Sequence, residues 1–207
     1  MDAHRFELVA GALCLDYVNT VGDRSGTWRY VRNYLARYED VVSWGQQAHI
    51  LSEREASALR AQAQREPEAA AAAHTRAVNL REALHTVFGP IAAGRPIKRD
   101  ALAPLSALLA PLLAASRLAT TTEGLKCHWS FEGDALDRII WPVARSAADL
   151  LTSGDLAYVH QCGMETCGWL FLDISKNKTR RWCSMKMCGN KAKVRHHRAT
   201  RKESELR

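Results

Sequence analysis

Four cysteines near the C-terminus form two pairs of identical spacing. Four residues separate Cys162 from Cys167, four separate Cys183 from Cys188, and fifteen lie between the two pairs. Two close pairs joined by a hairpin-sized segment are typical of a tetrahedral zinc site with thiolate ligands. We therefore predict one structural Zn²⁺ bound by these four cysteines. The alternative ligands, each in place of one thiolate, are His160, His196 and His197.

Positive charge is concentrated in the same part of the chain. The net charge is +7, yet residues 156–207 carry 12 Lys/Arg and 4 Asp/Glu, whereas residues 1–155 carry 17 and 18. Residues 174–202 contain eleven basic side chains and no acidic one. Such a block indicates a polyanionic partner, most often nucleic acid. The alternatives are a solvated basic tail, and charge that offsets the zinc thiolates.

The pattern around the cysteines predicts a treble-clef-like finger over residues 155–207. We expect a strand at residues 169–173, a turn at 175–178, a returning strand at 181–183, and a helix after Cys188. Trp169 and Trp182 could stack on unpaired bases, or fill the core of the finger. The candidate nucleic-acid-binding residues are Lys176, Lys178, Arg180, Arg181, Lys191, Lys193, Arg195, Arg198 and Arg201.

Residues 1–154 are predicted to form a mostly helical domain with a small antiparallel sheet, so the fold class is α+β. Ser52 and Glu55 form a capping box, and Pro67 opens a long alanine-rich helix. Residues 117–132 have the pattern of a β-hairpin, and residues 134–151 that of an amphipathic helix. The uncharged residues 101–115 are expected to form a buried, kinked helix.

The N-terminal domain contains no P-loop, nucleophile elbow or H-E-x-x-H motif, so we predict that it is not an enzyme. Polar residues on otherwise apolar helices could line a ligand pocket or lie at the surface. The candidate pocket residues are Asp16, Asn19, Trp141 and Arg145. No segment has the pattern of a signal peptide or of a membrane span, so we expect a cytoplasmic protein.

Three segments of the C-terminal part, residues 162–173, 180–185 and 188–191, closely resemble the CGNR zinc finger. Residues 11–20 and 141–151 resemble the ABATE domain that precedes this finger in bacterial proteins. The resemblance implies a stress-responsive transcription regulator in which the finger binds DNA and the ABATE domain senses a small molecule. Lys191 stands where the motif has arginine, which favours phosphate contacts over the bidentate reading of bases.

The leading hypothesis is a cytoplasmic bacterial regulator that binds DNA through the basic hairpin and helix of a zinc-stabilised finger. Its N-terminal domain would sense a small-molecule effector or form a homodimer. The alternatives are an RNA-binding or ribosome-associated zinc module, and a zinc module used for protein contacts. DNA and single-stranded RNA would be distinguished by their affinities at equal salt concentration.

Overall fold

The structure, a computed structural model, describes residues 4–22, 24, 32–120, 127–131, 135–195 and 198. Most of the elements in this part of the chain are helical. The α-helices are α1 (Leu13–Val18), α2 (Tyr38–Gln47), α3 (Glu53–Arg65), α4 (Pro67–Ala92), α5 (Ala103–Ala115) and α6 (Ile140–Leu151). The strands are β1 (Ser116–Thr120), β2 (Cys127–Phe131), β3 (Val159–Gln161) and β4 (Leu170–Leu172).

Two helix starts form where the local sequence predicts them. The Ser52 hydroxyl accepts the N–H of Glu55 at 3.3 Å, and the Glu55 carboxylate accepts the N–H of Ser52 at 2.8 Å, which confirms the capping box of α3. Pro67 is the first residue of α4, where its missing N–H leaves no helical hydrogen bond unmade. Both signals depend on residues close in sequence, so they are readable without knowledge of the fold.

α4 is the central helix of the N-terminal segment. Its buried side chains include Ala70, Ala73, Ala77 and Leu80, spaced three or four residues apart, so one face of the helix packs into the core. The alanines let neighbouring elements approach closely. The buried Tyr17 of α1 donates a hydrogen bond from its hydroxyl to the Ala77 carbonyl at 2.9 Å.

The strands form two separate antiparallel pairs. β1 pairs with β2, with Ser116 opposite Phe131 and Thr120 opposite Cys127, which confirms the predicted hairpin. β3 pairs with β4, with Val159 opposite Leu172. A single hydrophobic core joins the helices to β3, β4 and the buried cysteines of the finger. The α+β fold class with a C-terminal zinc finger is therefore confirmed.

Three expectations about individual elements are wrong. Residues 181–183 are irregular rather than a strand, because one edge of β4 pairs with β3 and the other is hydrogen-bonded to Asn19 and Ala10. The helix predicted from residue 134 begins at Ile140, after a series of turns over residues 136–139. α5 is largely exposed rather than buried: Leu105 is its one fully buried side chain among those described, and Pro111 lies on its outer side.

None of the helices in the described part of the chain is both long and apolar enough to cross a membrane.

Candidate metal centre and basic surface

The four paired cysteines converge on one point. Their Sγ atoms all lie within 4.8 Å of one another, with Cys167 at 3.8 Å and Cys188 at 3.6 Å from Cys183. A tetrahedral zinc ion with Zn–S bonds of about 2.3 Å would hold its ligands about 3.8 Å apart. A disulfide would require about 2.05 Å. The sulfur positions therefore fit one zinc ion, and they form the zinc site of the finger.

The first pair of ligands is held in a tight turn between β3 and β4. The N–H of Cys162 donates to the Trp169 carbonyl at 2.7 Å, and the N–H of Cys167 donates to the Met164 carbonyl at 3.0 Å. Gly168 follows with a φ of +69°, a left-handed conformation that a residue without a Cβ adopts at little cost. The two sulfurs are thus brought together by the backbone of the turn.

The second pair lies at a single π-helical turn, Met185–Gly189, which contains Cys188 and begins two residues after Cys183. The Ser184 carbonyl accepts the N–H groups of Cys188 at 2.9 Å and of Gly189 at 3.0 Å. The N–H of Cys183 points to the Cys162 sulfur at 3.4 Å, a contact that links the two pairs directly. Helical residues 190–195 follow immediately, so the direction of this C-terminal helix is set by the metal ligands.

The four thiols lie close enough to change one another's acidity. Hydrogen bonds from the thiols of Cys167 and Cys183 hold the pKa of Cys162 well below its ordinary value. The same hydrogen bonds, in which Cys167 and Cys183 keep their protons, raise the pKa values of those two residues. His160 lies outside the cluster, beside the Phe171 ring, and His196 and His197 lie outside the described residues.

Hydrogen bonds dock the finger on the N-terminal segment at several points. The Trp169 indole N–H donates to the Val21 carbonyl at 2.8 Å, and the N–H of Leu172 donates to the Ala10 carbonyl at 2.7 Å. Asn19, which is 3% exposed, exchanges two hydrogen bonds with the backbone of Leu170. Trp169 is itself only 8% exposed, so it fills the core and is not available to stack on a base.

The four candidate pocket residues do not share one site. Asp16 and Asn19 line a small cavity of about 120 Å³, together with the N-terminal residues 4–7. Arg145 forms an ion pair with Asp149 at 2.9 Å, one turn further along α6, and Trp141 is half-buried on the same helix. Neither of these two lines the cavity.

The surroundings of the Asp16 carboxyl shift its protonation equilibrium. Burial raises its pKa to about 6, although N–H groups of Ala10 and Val9 and the nearby Arg180 guanidinium act in the opposite direction. Its Oδ1 accepts the N–H of Ala10 at 2.8 Å. This carboxyl of α1 therefore lies close to Arg180 of the finger.

Two of the basic residues in the loop after β4 make contacts inside the protein. The Arg180 guanidinium donates to the carbonyls of Val9 at 2.7 Å, of Trp182 at 2.9 Å and of Cys183, and it lies over the Phe171 ring. The Lys178 ammonium donates to the Asp173 carbonyl at 2.7 Å. Arg180 therefore ties a zinc ligand to the N-terminal segment.

The other two basic residues of this loop face outward. Lys176 and Arg181 are exposed, and the Arg181 guanidinium lies 5.5 Å from the centroid of the Trp182 ring. The loop itself is organised by the fully buried Asp173. Its carboxylate accepts the N–H groups of Ser175 at 2.9 Å and of Arg180 at 2.8 Å. Burial alone would raise the pKa of Asp173, but these hydrogen bonds hold it below its ordinary value.

The C-terminal helix carries the remaining candidate nucleic-acid-binding residues that the structure describes. Lys191, Lys193, Arg195 and Arg198 are all exposed, and Arg201 lies outside the described residues. Three of them line a groove between the helix and the turn of the first cysteine pair, with a volume of about 440 Å³. We call it the knuckle groove; it is lined by Met164, Thr166, Asn190, Lys191, Val194, Arg195 and Arg198.

Three residues that shape the finger are not among the site residues predicted from the sequence. Thr166 and Asn190 offer a hydroxyl and an amide to the knuckle groove, and Asp173 fixes the loop. Thr166 lies between two predicted ligands and Asn190 lies two residues after the last one. The closeness of Thr166 and Asn190 to the predicted ligands in the sequence is the signal that could have identified them.

Two family models match the chain. The model of the CGNR zinc finger matches residues 159–201, and the ABATE model, described as "Putative stress-induced transcription regulator", matches residues 11–154. No curated protein matches the chain closely enough to count as a relative. The two matches follow each other in the order that the residue patterns indicate, and the finger match includes all four cysteines of the metal centre.

Proposed function

Because the chain belongs to the ABATE family, whose model is described as "Putative stress-induced transcription regulator" and matches residues 11–154, we propose that it regulates transcription by binding DNA through its zinc finger. The finger would contact phosphates, and the N-terminal segment would sense a small molecule or mediate dimerisation. The two families are of regulator and zinc-finger types, so an enzymatic role has no support in them.

One observation carries the proposal. Four exposed cations, Lys191, Lys193, Arg195 and Arg198, project from a short helix whose start is fixed by the zinc ligands. None of the four forms an ion pair with a carboxylate in the described part of the chain. Like charges so close together repel, and a polyanion would relieve the repulsion with release of its counterions.

The cations fall into groups with different expected roles. Lys176 and Arg181 are exposed, so they are free to reach phosphates beside the helix. Lys178 and Arg180 donate hydrogen bonds to backbone carbonyls, and their main contribution would be to hold the loop and the finger in place. A DNA contact through Arg180 would require it to leave the Val9 carbonyl.

The test is the salt dependence of binding to duplex DNA. Fluorescence anisotropy with a labelled duplex should give a linear fall of log affinity with log salt, with a slope of about 0.9 for each phosphate neutralised. The same titration after removal of zinc by a chelator should show weak binding or none, because the helix loses its anchor. An affinity that does not change with salt, or the absence of binding by the zinc-loaded protein, would refute the proposal.

The RNA-binding alternative is tested in the same assay with a single-stranded RNA competitor at equal salt. Of the two tryptophans in the finger, Trp169 is almost fully buried and Trp182 is half-buried, so base stacking by the finger would depend on Trp182. We therefore expect duplex DNA to compete better than single-stranded RNA. The opposite order would favour the RNA-binding module.

A further inference from the structure

A second and larger opening lies between the N-terminal segment and the finger. It has a volume of about 580 Å³ and borders on the metal centre. We call it the junction cleft. Its walls include Gly22, Arg32 and Tyr34 on the N-terminal side and Trp169, Met187 and Lys191 on the side of the finger. Pockets for small molecules in proteins usually measure about 300–1,000 Å³, so the cleft has the size of a ligand site.

The walls of the cleft combine positive charge with apolar surface. Arg32 and Lys191 line it from opposite sides, and no aspartate or glutamate is among its described lining residues. Apolar surface comes from the Tyr34 ring and from methionine side chains such as Met187. Two cations beside an aromatic ring favour a molecule that has an anionic group and an apolar body.

The N-terminal wall is held in place by the backbone. The N–H of Gly22 donates to the Arg32 carbonyl at 2.7 Å, and the N–H of Tyr34 donates to the Thr20 carbonyl at 3.0 Å. The Arg32 guanidinium lies 5.3 Å from the centroid of the Tyr34 ring, and the His4 ring stacks on the same tyrosine with the two centroids 4.4 Å apart. A charged group held over a ring in this way is positioned before a ligand arrives.

We propose that the junction cleft binds a small organic anion, with a carboxylate or phosphate between Arg32 and Lys191 and an apolar body against Tyr34 and Met187. The regulatory half of this inference rests on the proposed function. Lys191 lines both the junction cleft and the knuckle groove, as do Met164 and Thr166. An anion that occupies Lys191 removes it from the phosphate-binding surface, so ligand and DNA weaken each other's binding by the same factor.

The competing explanation is that the two cations serve the metal. Cys167 and Cys188 also line the cleft, and a zinc ion with four thiolates has a net charge of −2 that Arg32 and Lys191 would offset. This explanation predicts that loss of either cation lowers the affinity for zinc. Ligand binding predicts instead that loss of either cation lowers the affinity for an organic anion.

Calorimetric titration of the zinc-loaded full chain separates the two explanations. The probes are 2-naphthoate, 2-naphthyl phosphate, neutral 2-naphthylmethanol and inorganic phosphate. We expect at least one of the naphthyl anions to bind and the neutral compound and inorganic phosphate to bind much more weakly. The naphthoate and the naphthyl phosphate distinguish a carboxylate ligand from a phosphate ester.

Charge variants locate the binding. Arg32→Ala and Lys191→Ala should each weaken binding of the naphthyl anion about tenfold, the usual effect of losing one charge-assisted hydrogen bond. The matched controls are Arg95→Ala and Lys193→Ala, which remove an exposed arginine and a lysine of the same helix without touching the cleft. Both controls should leave the affinity for the anion within twofold.

The outcomes for the cleft and for the proposed function are separate. If no naphthyl anion binds, if the controls weaken binding as much as Arg32→Ala, or if Arg32→Ala and Lys191→Ala lower only the affinity for zinc, the cleft is not a ligand site. DNA binding measured without any probe tests the proposed function alone. If an anion binds in the cleft but leaves the affinity for DNA unchanged, the cleft is a ligand site and the proposed competition between ligand and DNA is wrong.

Discussion

The side chain of Asn19 is hydrogen-bonded to both backbone groups of Leu170. Its Nδ2 donates to the Leu170 carbonyl at 2.8 Å, and its Oδ1 accepts the Leu170 N–H at 2.9 Å. Because Asn19 follows α1 and Leu170 begins β4, this amide takes the place of a neighbouring strand and joins the N-terminal segment to the finger. Both hydrogen bonds are buried, so water cannot replace them.

Asn19→Ala should lower the free energy of unfolding by about 2–4 kcal/mol, since it leaves a buried N–H and a buried carbonyl without partners. In a chain of this size that corresponds to a fall in Tm of roughly 5–15 °C. Asn79→Ala is the matched control, at an exposed position of α4, and should not lower Tm. Calorimetric melting of the two variants makes the comparison. Equal Tm values for Asn19→Ala and the parent chain would show that the two hydrogen bonds between Asn19 and Leu170 contribute little to stability.

Removal of zinc should destabilise the N-terminal segment as well as the finger. The ligands Cys162, Cys183 and Cys188 belong to the same hydrophobic core as Tyr17 and Trp44. Structural zinc contributes about 10–16 kcal/mol in finger peptides, which is comparable with the whole stability of a domain. Hydrogen exchange after chelation should therefore show faster exchange in α1 and α4, reversed by added zinc. Unchanged protection of these helices would show that the two segments fold independently.

Arg180 and Arg181 are adjacent and should respond oppositely to substitution. Arg180→Ala removes hydrogen bonds to the carbonyls of Val9, Trp182 and Cys183, and should lower the free energy of unfolding by about 2–4 kcal/mol. Arg181→Ala removes an exposed side chain, and should change stability by less than about 0.5 kcal/mol while weakening DNA binding. Denaturant melts and anisotropy titrations, run on both variants, distinguish the roles. A stable Arg180→Ala protein with weakened DNA binding would reverse this assignment.

The sequence allowed prediction of those features whose signals are local. The cysteine spacing identified the metal centre, Ser52 and Glu55 marked the start of α3, and Pro67 marked that of α4. Each depends on residues a few positions apart, so tertiary packing does not alter the outcome. The β1–β2 hairpin was predictable for the same reason, because its strands are close in sequence.

Contacts between distant residues could not be predicted in this way. Asn19 and Leu170 are 151 residues apart, and Arg180 and Val9 are 171 apart, so no spacing rule brings them together. From the sequence, Asn19 is therefore a candidate pocket residue with no predicted partner in the finger, and Arg180 is one more cation of the basic block. The turn before residues 181–183 predicts a strand there. In the structure the Arg181 carbonyl instead accepts the N–H of Gly163, in the turn of the first cysteine pair, at 2.8 Å.

Asp16 should make stability depend on pH below neutrality. Its pKa is about 6 in the folded protein and near the ordinary value of 3.8 when unfolded, so the folded state binds the proton more tightly. The contribution of Asp16 to the free energy of unfolding is therefore most favourable below about pH 4, falls as pH rises towards 6, and stays lower above 6, by at most roughly 2–3 kcal/mol. The nearby charged groups are Arg180 and, around the same cavity, His4, Arg5 and Glu7.

Asp16→Asn isolates this contribution, because its Oδ1 can still accept the N–H of Ala10 while it carries no charge. The variant should be more stable than the parent chain at pH 7.5, and the difference in Tm should shrink as the pH is lowered towards 4. Melting curves of both proteins over this range, on the zinc-loaded chain with zinc occupancy checked at each pH, measure the effect. A difference that does not change with pH would mean that the carboxyl is not the titrating group.

Lys191 should contribute to DNA binding through phosphate contact alone. It is exposed at the start of the C-terminal helix and lines the knuckle groove, where Arg195 and Arg198 follow on the same side. Lys191→Ala should reduce the salt slope for duplex DNA by about 1 and weaken binding to all sequences about equally, because an ammonium group lacks the planar fork that reads guanine. Lys98→Ala, which removes an exposed lysine far from the finger in sequence, is the control and should leave the slope unchanged. A loss of affinity confined to particular DNA sequences would instead place Lys191 against a base edge.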